Sequence, residues 1–512
     1  MTRSEKSIKN FLIAIIGQGI GLVISFLARI IFLKILGSEY LGVNGLFANI
    51  LSVLSLAELG IGEAITYSLY KPLANKDTLK CQELMQLYQK TYIVIGFVIL
   101  LLGLGITPFL QYFINEMPNI SEINIIFILF VINTSVSYFF SYKRNLIIAD
   151  QKRYIATIYR YTFYALVNII QIIYLIFTKN YIGYLIIQIL MTLIENILIS
   201  LKANKMYPYL KNKNKVSLDG ESKREIIKNT KAMMMHKIGG IIVSSTDNII
   251  ISKFVGIVEV GIYSNYYLVI NALNIIYGQL YSSVVASIGN LYINNNNEEQ
   301  YLVYKRMNFL GFWIYSFSSI CLICLLNPFI EIWVGAQYLF PFYVVSIIVV
   351  NFYIYGMRKV NIMFREATGM FYKDRWKAII EAAVNMVVSI MLVKELGVFG
   401  VFLGTFISSI TVCVWIEPYI LFKYVFKKNL NEYIKEYIKY LVITIIISIP
   451  TLWLCTMIKL ENMYITFLIK AIVSVIMPNF LLLLIFYKDN KFKYFYNMLK
   501  FAWLKFLHNI KE

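Results

Sequence analysis

Charge is scarce in this chain, and histidine and cysteine are scarcer. Only 15% of its 512 residues are Asp, Glu, Lys or Arg, against about 25% in a soluble domain. There are 2 histidines, His236 and His508, and 5 cysteines. Cys321-x-x-Cys324 has no second ligand pair and lies inside an apolar run. Packing, rather than zinc or dithiol chemistry, is the reading that fits it. No G-x-x-x-x-G-K-[ST] run occurs, which excludes ATP hydrolysis through that phosphate loop. No nucleophile constellation and no soluble domain is visible. The chain is therefore not expected to be an enzyme, and no catalytic residue, metal or cofactor is assigned. The first apolar run, 11–36, is too long for a signal peptide and lacks a small-residue cleavage site, so it reads as a membrane helix.

What the chain has instead is apolar length. Apolar residues make up 59% and aromatics 16%, and the mean hydropathy is +0.67. This composition predicts an all-α integral membrane protein. Fourteen runs approach the ~20 residues that a bilayer core requires. They fall at about 11–36, 43–70, 91–113, 123–142, 155–178, 181–200, 233–255, 262–288, 308–326, 339–357, 376–393, 398–422, 438–458 and 464–487. The net charge of +20 would suggest nucleic acid in a soluble protein. Here it sits in short connections between apolar runs. Alternate connections carry 39 Lys and Arg on one side and 6 on the other. By the positive-inside rule both termini are cytoplasmic, and no nucleic-acid partner is expected.

The longest polar connection, 201–230, follows the sixth run. Nine basic residues lie between Lys202 and Lys231, and the connection reads as a solvated linker or as a surface for anionic lipid. A repeat spans it. Leu36-Gly37 and Gly42-Val43 recur as Val255-Gly256 and Gly261-Ile262, at an offset of 219 residues. Glycine at both ends of such a turn permits positive φ and close helix packing. Six helices separate the copies, so both run in the same direction. Parallel duplication is a transporter plan, with the substrate between the halves. The expected organisation is a six-helix lobe at 1–200, a basic cytoplasmic linker at 201–232 and a second six-helix lobe at 233–425. Two extra helices and a basic tail at 426–512 complete it. The two lobes are pseudo-symmetric around a central cavity.

Charges inside spans cost roughly 2.5–3.5 kcal/mol each on insertion scales, so their retention points to use or to pairing. Glu58 and Glu63 lie in the run 43–70, read as one long helix. Arg29 and Asp247 each lie seven or eight residues before the outer end of the first and seventh spans, about 10–12 Å deep. The 219-residue offset maps Arg29 onto Asn248. His236 and Lys237 open the seventh span. Arg160 and Glu195 share the inner depth. In one reading Arg29 pairs with Asp247 and Arg160 with Glu195, neutralising each other. In the other, Arg29, Asp247, Asn248, Lys237 and His236 bind a charged headgroup, since guanidinium suits phosphate. Glu58, Glu63 and Asp247 are then candidates for proton or sodium coupling.

The segments Leu36-Gly37-x-Glu39-Tyr40-Leu41-Gly42, Leu56-Ala57-Glu58-Leu59-Gly60-Ile61-Gly62 and Tyr67-Ser68-Leu69-Tyr70-Lys71-Pro72-Leu73 resemble the polysaccharide flippase family. These are transporters of O-antigen and capsule repeat units, within the multidrug/oligosaccharidyl-lipid/polysaccharide exporter superfamily. The resemblance implies flipping of undecaprenyl-diphosphate-linked oligosaccharide from the inner to the outer leaflet of the bacterial plasma membrane by alternating access. It also implies membrane lipids, a polymerase and other glycan-assembly proteins as partners. Arg29 fits the cationic cavity residues of relatives, whereas Glu58, Glu63 and Asp247 depart from that pattern. Fourteen spans resemble the lipid II flippase, in which the last two helices help to hold the lipid tail. Lipid II flipping and ion-coupled export of amphipathic cations stand as alternatives.

Overall fold

A computed structural model describes residues 3–58, 60–211, 220–294, 296–370, 373 and 376–511. The described residues are helical, with no strand. Among the described residues, eleven helices are long and apolar enough to cross a membrane. The first, α1 (Arg3–Leu54), holds the first expected span and the start of the second, on either side of an elbow at Gly37 (φ 82°, ψ −176°). Two further elements complete the second span, as described below. The helices α3 (Thr78–Ile106), α4 (Ile123–Ala149), α5 (Arg153–Thr178) and α6 (Tyr181–Met206) follow. Then come α7 (Gly220–Phe254), α8 (Ile257–Asn294), α9 (Asn297–Val334) and α10 (Phe342–Thr368). A second elbow, Gly397 (φ 57°), divides α11 (Lys377–Ser408) where the eleventh span was expected to give way to the twelfth. This continues through α12 (Val414–Leu421). The chain ends in α13 (Leu430–Met457), α14 (Met463–Phe486) and α15 (Asn490–Lys511). Helix α7 carries the expected seventh span. It begins at Gly220 and so takes up the end of the segment read as a linker.

The chain divides into two compact units, Met1–Ser264 with Val393–Val401, and Asn265–Leu392 with Phe402–Glu512. In the first, α1 packs along α5 and α7, and α4 lies between α3 and α6. The repeated turns meet here. A methyl on Gly42 would overlap the Ile257 carbonyl oxygen, and one on Gly261 would overlap the Ser38 carbonyl oxygen. Adding 219 to 38 and 42 gives 257 and 261, so the two copies touch each other through equivalent atoms. That is the signature of a twofold-related contact. The turn glycines divide the work unequally. Gly37 supplies positive φ, whereas Gly42 and Gly261 supply close approach.

In the second unit, α9 is packed by α10, α13 and α14. Phe312 stacks on Tyr440 with centroids 4.0 Å apart. Ser316 shares a hydrogen bond with Thr444 (2.6 Å), and Trp313 donates to Asn479 (2.9 Å). The last two spans are therefore built onto α9 by aromatic and polar contacts. Cys321 packs there too, donating to the Ser474 carbonyl.

This unit also hides four charges. Arg358 clasps Glu417 through Nε (3.2 Å) and Nη2 (2.8 Å) and reaches Glu381 through Nη1 (3.2 Å). Lys377 donates to Glu417 at 2.6 Å and lies 3.5 Å from Glu381. All four residues are buried. Arg358 and Lys377 therefore leave the count of solvated loop charges, which does not change the sign of the orientation bias. Two cations matched to two anions are tolerable in an apolar surround, whereas an odd one is not. Glu417→Gln is expected to lower stability by about 3–5 kcal/mol. The thermal midpoint of the purified protein in detergent would show it. A loss no larger than that of Lys428→Gln, at an exposed pair with Glu298, would show that the quartet is dispensable.

Candidate functional site

The run expected as one helix from 43 to 70 is broken at its acidic residue. Helix α1 stops at Leu54, Ser55–Glu58 form a 3₁₀ turn, and Gly60 takes a left-handed conformation (φ 76°, ψ 10°) before α2 (Ile61–Ala74) begins. Ser55 bonds back to the Ser52 carbonyl (2.6 Å), competing with the helical ladder. A left-handed residue suits glycine, so Gly60 accommodates the break. Ala64 restarts the ladder on the Gly60 carbonyl (3.1 Å).

The break presents Glu58 to α3. The Tyr92 hydroxyl donates to the Glu58 carboxylate at 2.5 Å. Tyr92 meets Tyr88 edge to face, with centroids 4.6 Å apart. The Tyr88 hydroxyl donates to the Gly62 carbonyl (3.0 Å) and accepts from Asn145 of α4 (2.5 Å). A methyl on Gly62 would overlap the Tyr92 hydroxyl and stand 2.5 Å from the Glu58 carboxylate. In Glu58-Leu59-Gly60-Ile61-Gly62, then, one glycine accommodates the bend and the other makes room for the carboxylate's donor.

Arg29 lies on α1 and donates from Nη1 to the Ser264 hydroxyl at 2.7 Å. Tyr164 of α5 and Tyr184 of α6 lie near the guanidinium. Ser25, one turn earlier, shares a 2.6 Å hydrogen bond with Tyr164. Asp247 and Asn248 are half-buried on α7, which packs along α1, α2 and the 3₁₀ turn of Glu58. The Asn248 carbonyl oxygen is buried without a hydrogen-bond partner among the described residues. Arg29, Glu58, Asp247 and Asn248 therefore belong to mutually packed elements of one unit. His236, Lys237 and Glu63 lie on described helical backbone, but their side chains are outside the described residues. The expected pair of Arg160 with Glu195 is corrected. Glu195 pairs with Arg144 at 2.6 Å, and Arg160 is exposed. Arg144, counted as a loop charge, is drawn into the packing because α4 continues to Ala149.

The sequence reading named neither Tyr88, Tyr92 and Asn145 nor Ser264. The tyrosines share a helix face at i and i+4, and Asn145 is an amide in an apolar run. Those two signals could have marked the network.

Spans joined by glycine elbows, a broken second helix and charges inside the spans describe a multi-pass membrane protein with a transporter fold. Solved structures agree on that fold. The lipid II flippase MurJ in an inward closed conformation is similar, at TM-score 0.65 and 17% identity over 93% of this chain and 99% of that one. So is an inward-facing multidrug-resistance MATE transporter of the MOP superfamily, at 0.63 and 14% over 80% and 98%. A MOP-superfamily transporter from Pyrococcus furiosus, described as having a binding pocket of reversed polarity, gives 0.53 and 13% over 84% and 98%. No curated protein sequence matches the chain. The chain belongs to the polysaccharide biosynthesis protein family, whose model matches residues 7–288.

The Gly62 contact gives a double-mutant test. Gly62→Ala is expected to destabilise the protein strongly in the wild-type background and less in a Tyr92→Phe background, where the hydroxyl is gone. A coupling of about 1–2 kcal/mol is expected for residues in such contact. Additive thermal shifts would mean that Gly62 does not serve the Glu58–Tyr92 bond.

Proposed function

We propose that this chain flips undecaprenyl-diphosphate-linked oligosaccharide repeat units from the cytoplasmic to the outer leaflet of a bacterial plasma membrane. Both termini are cytoplasmic, and the six-helix lobes at 1–200 and 233–425 alternate access to the polar headgroup. Arg29 carries this reading. It is a guanidinium at span depth, in a chain of the polysaccharide biosynthesis family. It donates to the Ser264 hydroxyl, and Tyr164 and Tyr184 lie near it. Phosphate is a natural bidentate partner for such a group, and tyrosines offer faces and hydroxyls to sugar. Asp247 and Asn248 extend the polar lining from α7. Glu58, held by Tyr92 at the helix break, is the proton-coupling group, since half-helix ends at a broken span are where transporters place coupling ions.

Flipping of lipid-linked oligosaccharide in proteoliposomes tests the reading. Wild type is expected to flip, Arg29→Ala to lose at least about tenfold in rate (one charge-assisted hydrogen bond), and Arg29→Lys to recover part of it. If Arg29→Ala flips normally, Arg29 is a structural cation. If wild type moves no glycolipid but exports a cationic dye down a proton gradient, the antiporter reading replaces this one.

In this orientation the Gly42–Gly261 contact lies at the outer ends of the first and seventh spans and closes them against each other. Gly42→Leu is expected to wedge them apart. Labelling of Ser38→Cys by a membrane-impermeant maleimide from outside would then rise several-fold. Unchanged labelling would remove this contact as an outer gate.

A further inference from the structure

A groove of about 530 Å³ opens in the first unit where α3, α4 and α6 come together. Each helix contributes one polar and one apolar stretch to it, in a consistent order. On α4, Lys143 is nearer the Ala149 end than Phe139. On α6, Asn204 and Ser200 are nearer the Met206 end than Ile197. On α3, Gln89 is nearer the Thr78 end than Phe97. Thr78, Ala149 and Met206 all adjoin connections of the basic side. The groove is thus polar toward that side and apolar toward the middle of the spans, which is the polarity of one lipid molecule in one leaflet.

Its outer rim faces hydrocarbon. Val94, Phe97 and Leu101 on α3, and Ile194, Ile197 and Leu201 on α6, are large apolar side chains at helical spacing, exposed at span depth. Such a stripe faces acyl chains rather than water.

Two groups inside the groove lack a counterpart. Lys143 is half-buried and rests over the Tyr142 ring at 5.6 Å. No carboxylate pairs with it among the described residues, whereas its neighbour Arg144 is neutralised by Glu195. Ser200 is 6% exposed, and its hydroxyl has no hydrogen-bond partner among the described residues. A buried hydroxyl is ordinarily satisfied, and a cation at span depth is ordinarily paired. An anionic group between them would satisfy both.

We infer that this groove holds one anionic glycerophospholipid of the cytoplasmic leaflet, of the phosphatidylglycerol type. Its phosphate lies on Lys143 and the Ser200 hydroxyl. Its glycerol hydroxyls meet the Gln89 and Asn204 amides, and one acyl chain lies along Phe97, Phe139 and Ile197. The site is separate from Arg29 and Glu58 and does not depend on which substrate the chain moves.

Native mass spectrometry of the delipidated full chain tests this, titrating phosphatidylglycerol, phosphatidylcholine and undecaprenyl phosphate in turn. One phosphatidylglycerol is expected to bind first, with phosphatidylcholine at least about tenfold weaker. Lys143→Gln is expected to weaken that first adduct about tenfold, the effect of one charge-assisted hydrogen bond. Ile197→Trp, at the lipid-facing rim, is expected to abolish it by filling the groove. Lys202→Gln, an exposed cation nearby, is expected to leave it unchanged. Equal binding of phosphatidylcholine would overturn the assignment of an anionic headgroup. A wild-type-like first adduct in both Lys143→Gln and Ile197→Trp would overturn the site. Tighter, competitive binding of undecaprenyl phosphate at the same residues would assign the groove to a polyprenyl lipid and overturn the proposed occupant.

Discussion

The closest constraint in the first unit is the approach of two carbonyl oxygens to two glycines. Gly42 leaves room for the Ile257 carbonyl, and Gly261 for that of Ser38. Neither position tolerates a side chain without moving the joint between α1 and α8. In a bilayer, helices gain little from burying apolar surface against each other, because lipid is apolar too. Close backbone packing at small residues is therefore a principal source of helix association. That the contact is reciprocal under a single offset explains why a weak pattern of apolar-Gly-x4-Gly is present twice. Each copy is the other's partner.

Charge within the spans is handled in two different ways. In the second unit, Arg358, Lys377, Glu381 and Glu417 form a neutral set whose donors and acceptors meet one another. In the first unit, Glu58 is held by a phenol, and Arg29 bonds a serine hydroxyl. Both of these partners are neutral groups. The second helix has to break to bring Glu58 to Tyr92, and Gly60 and Gly62 are the local consequence. The motif is thus a solution to a packing problem posed by one carboxylate.

The spans and the first elbow were legible because their signals are local. Apolar length gives the helices, and Gly37 marks the turn at its expected place. The break at Ser55–Gly60 was not legible. A run of Leu, Ala and Ile around Glu58 has good helix propensity, and the left-handed Gly60 follows from tertiary contact with α3. Glu417 went unnoticed and Arg358 was taken for a loop charge for a similar reason. Their pairing joins residues 59 apart on different helices, which periodicity does not encode. Arg29, Asp247 and Asn248 were placed on packed elements by the repeat, which is a long-range signal carried in the sequence itself. Ser264 had no such marker, being one of many serines in an apolar chain.

The pairing of buried Arg358 decides what it can do as a phosphate ligand. For Arg358 to take a phosphate, it would have to give up the bidentate clasp on Glu417 and the bond to Glu381. That would leave carboxylates uncompensated at a cost of about 3–5 kcal/mol, and an incoming dianion would sit beside them. The exchange at Arg358 therefore runs uphill. An arginine can thus be buried and still be unsuited to binding an anion. What decides is the charge of the partner it already has.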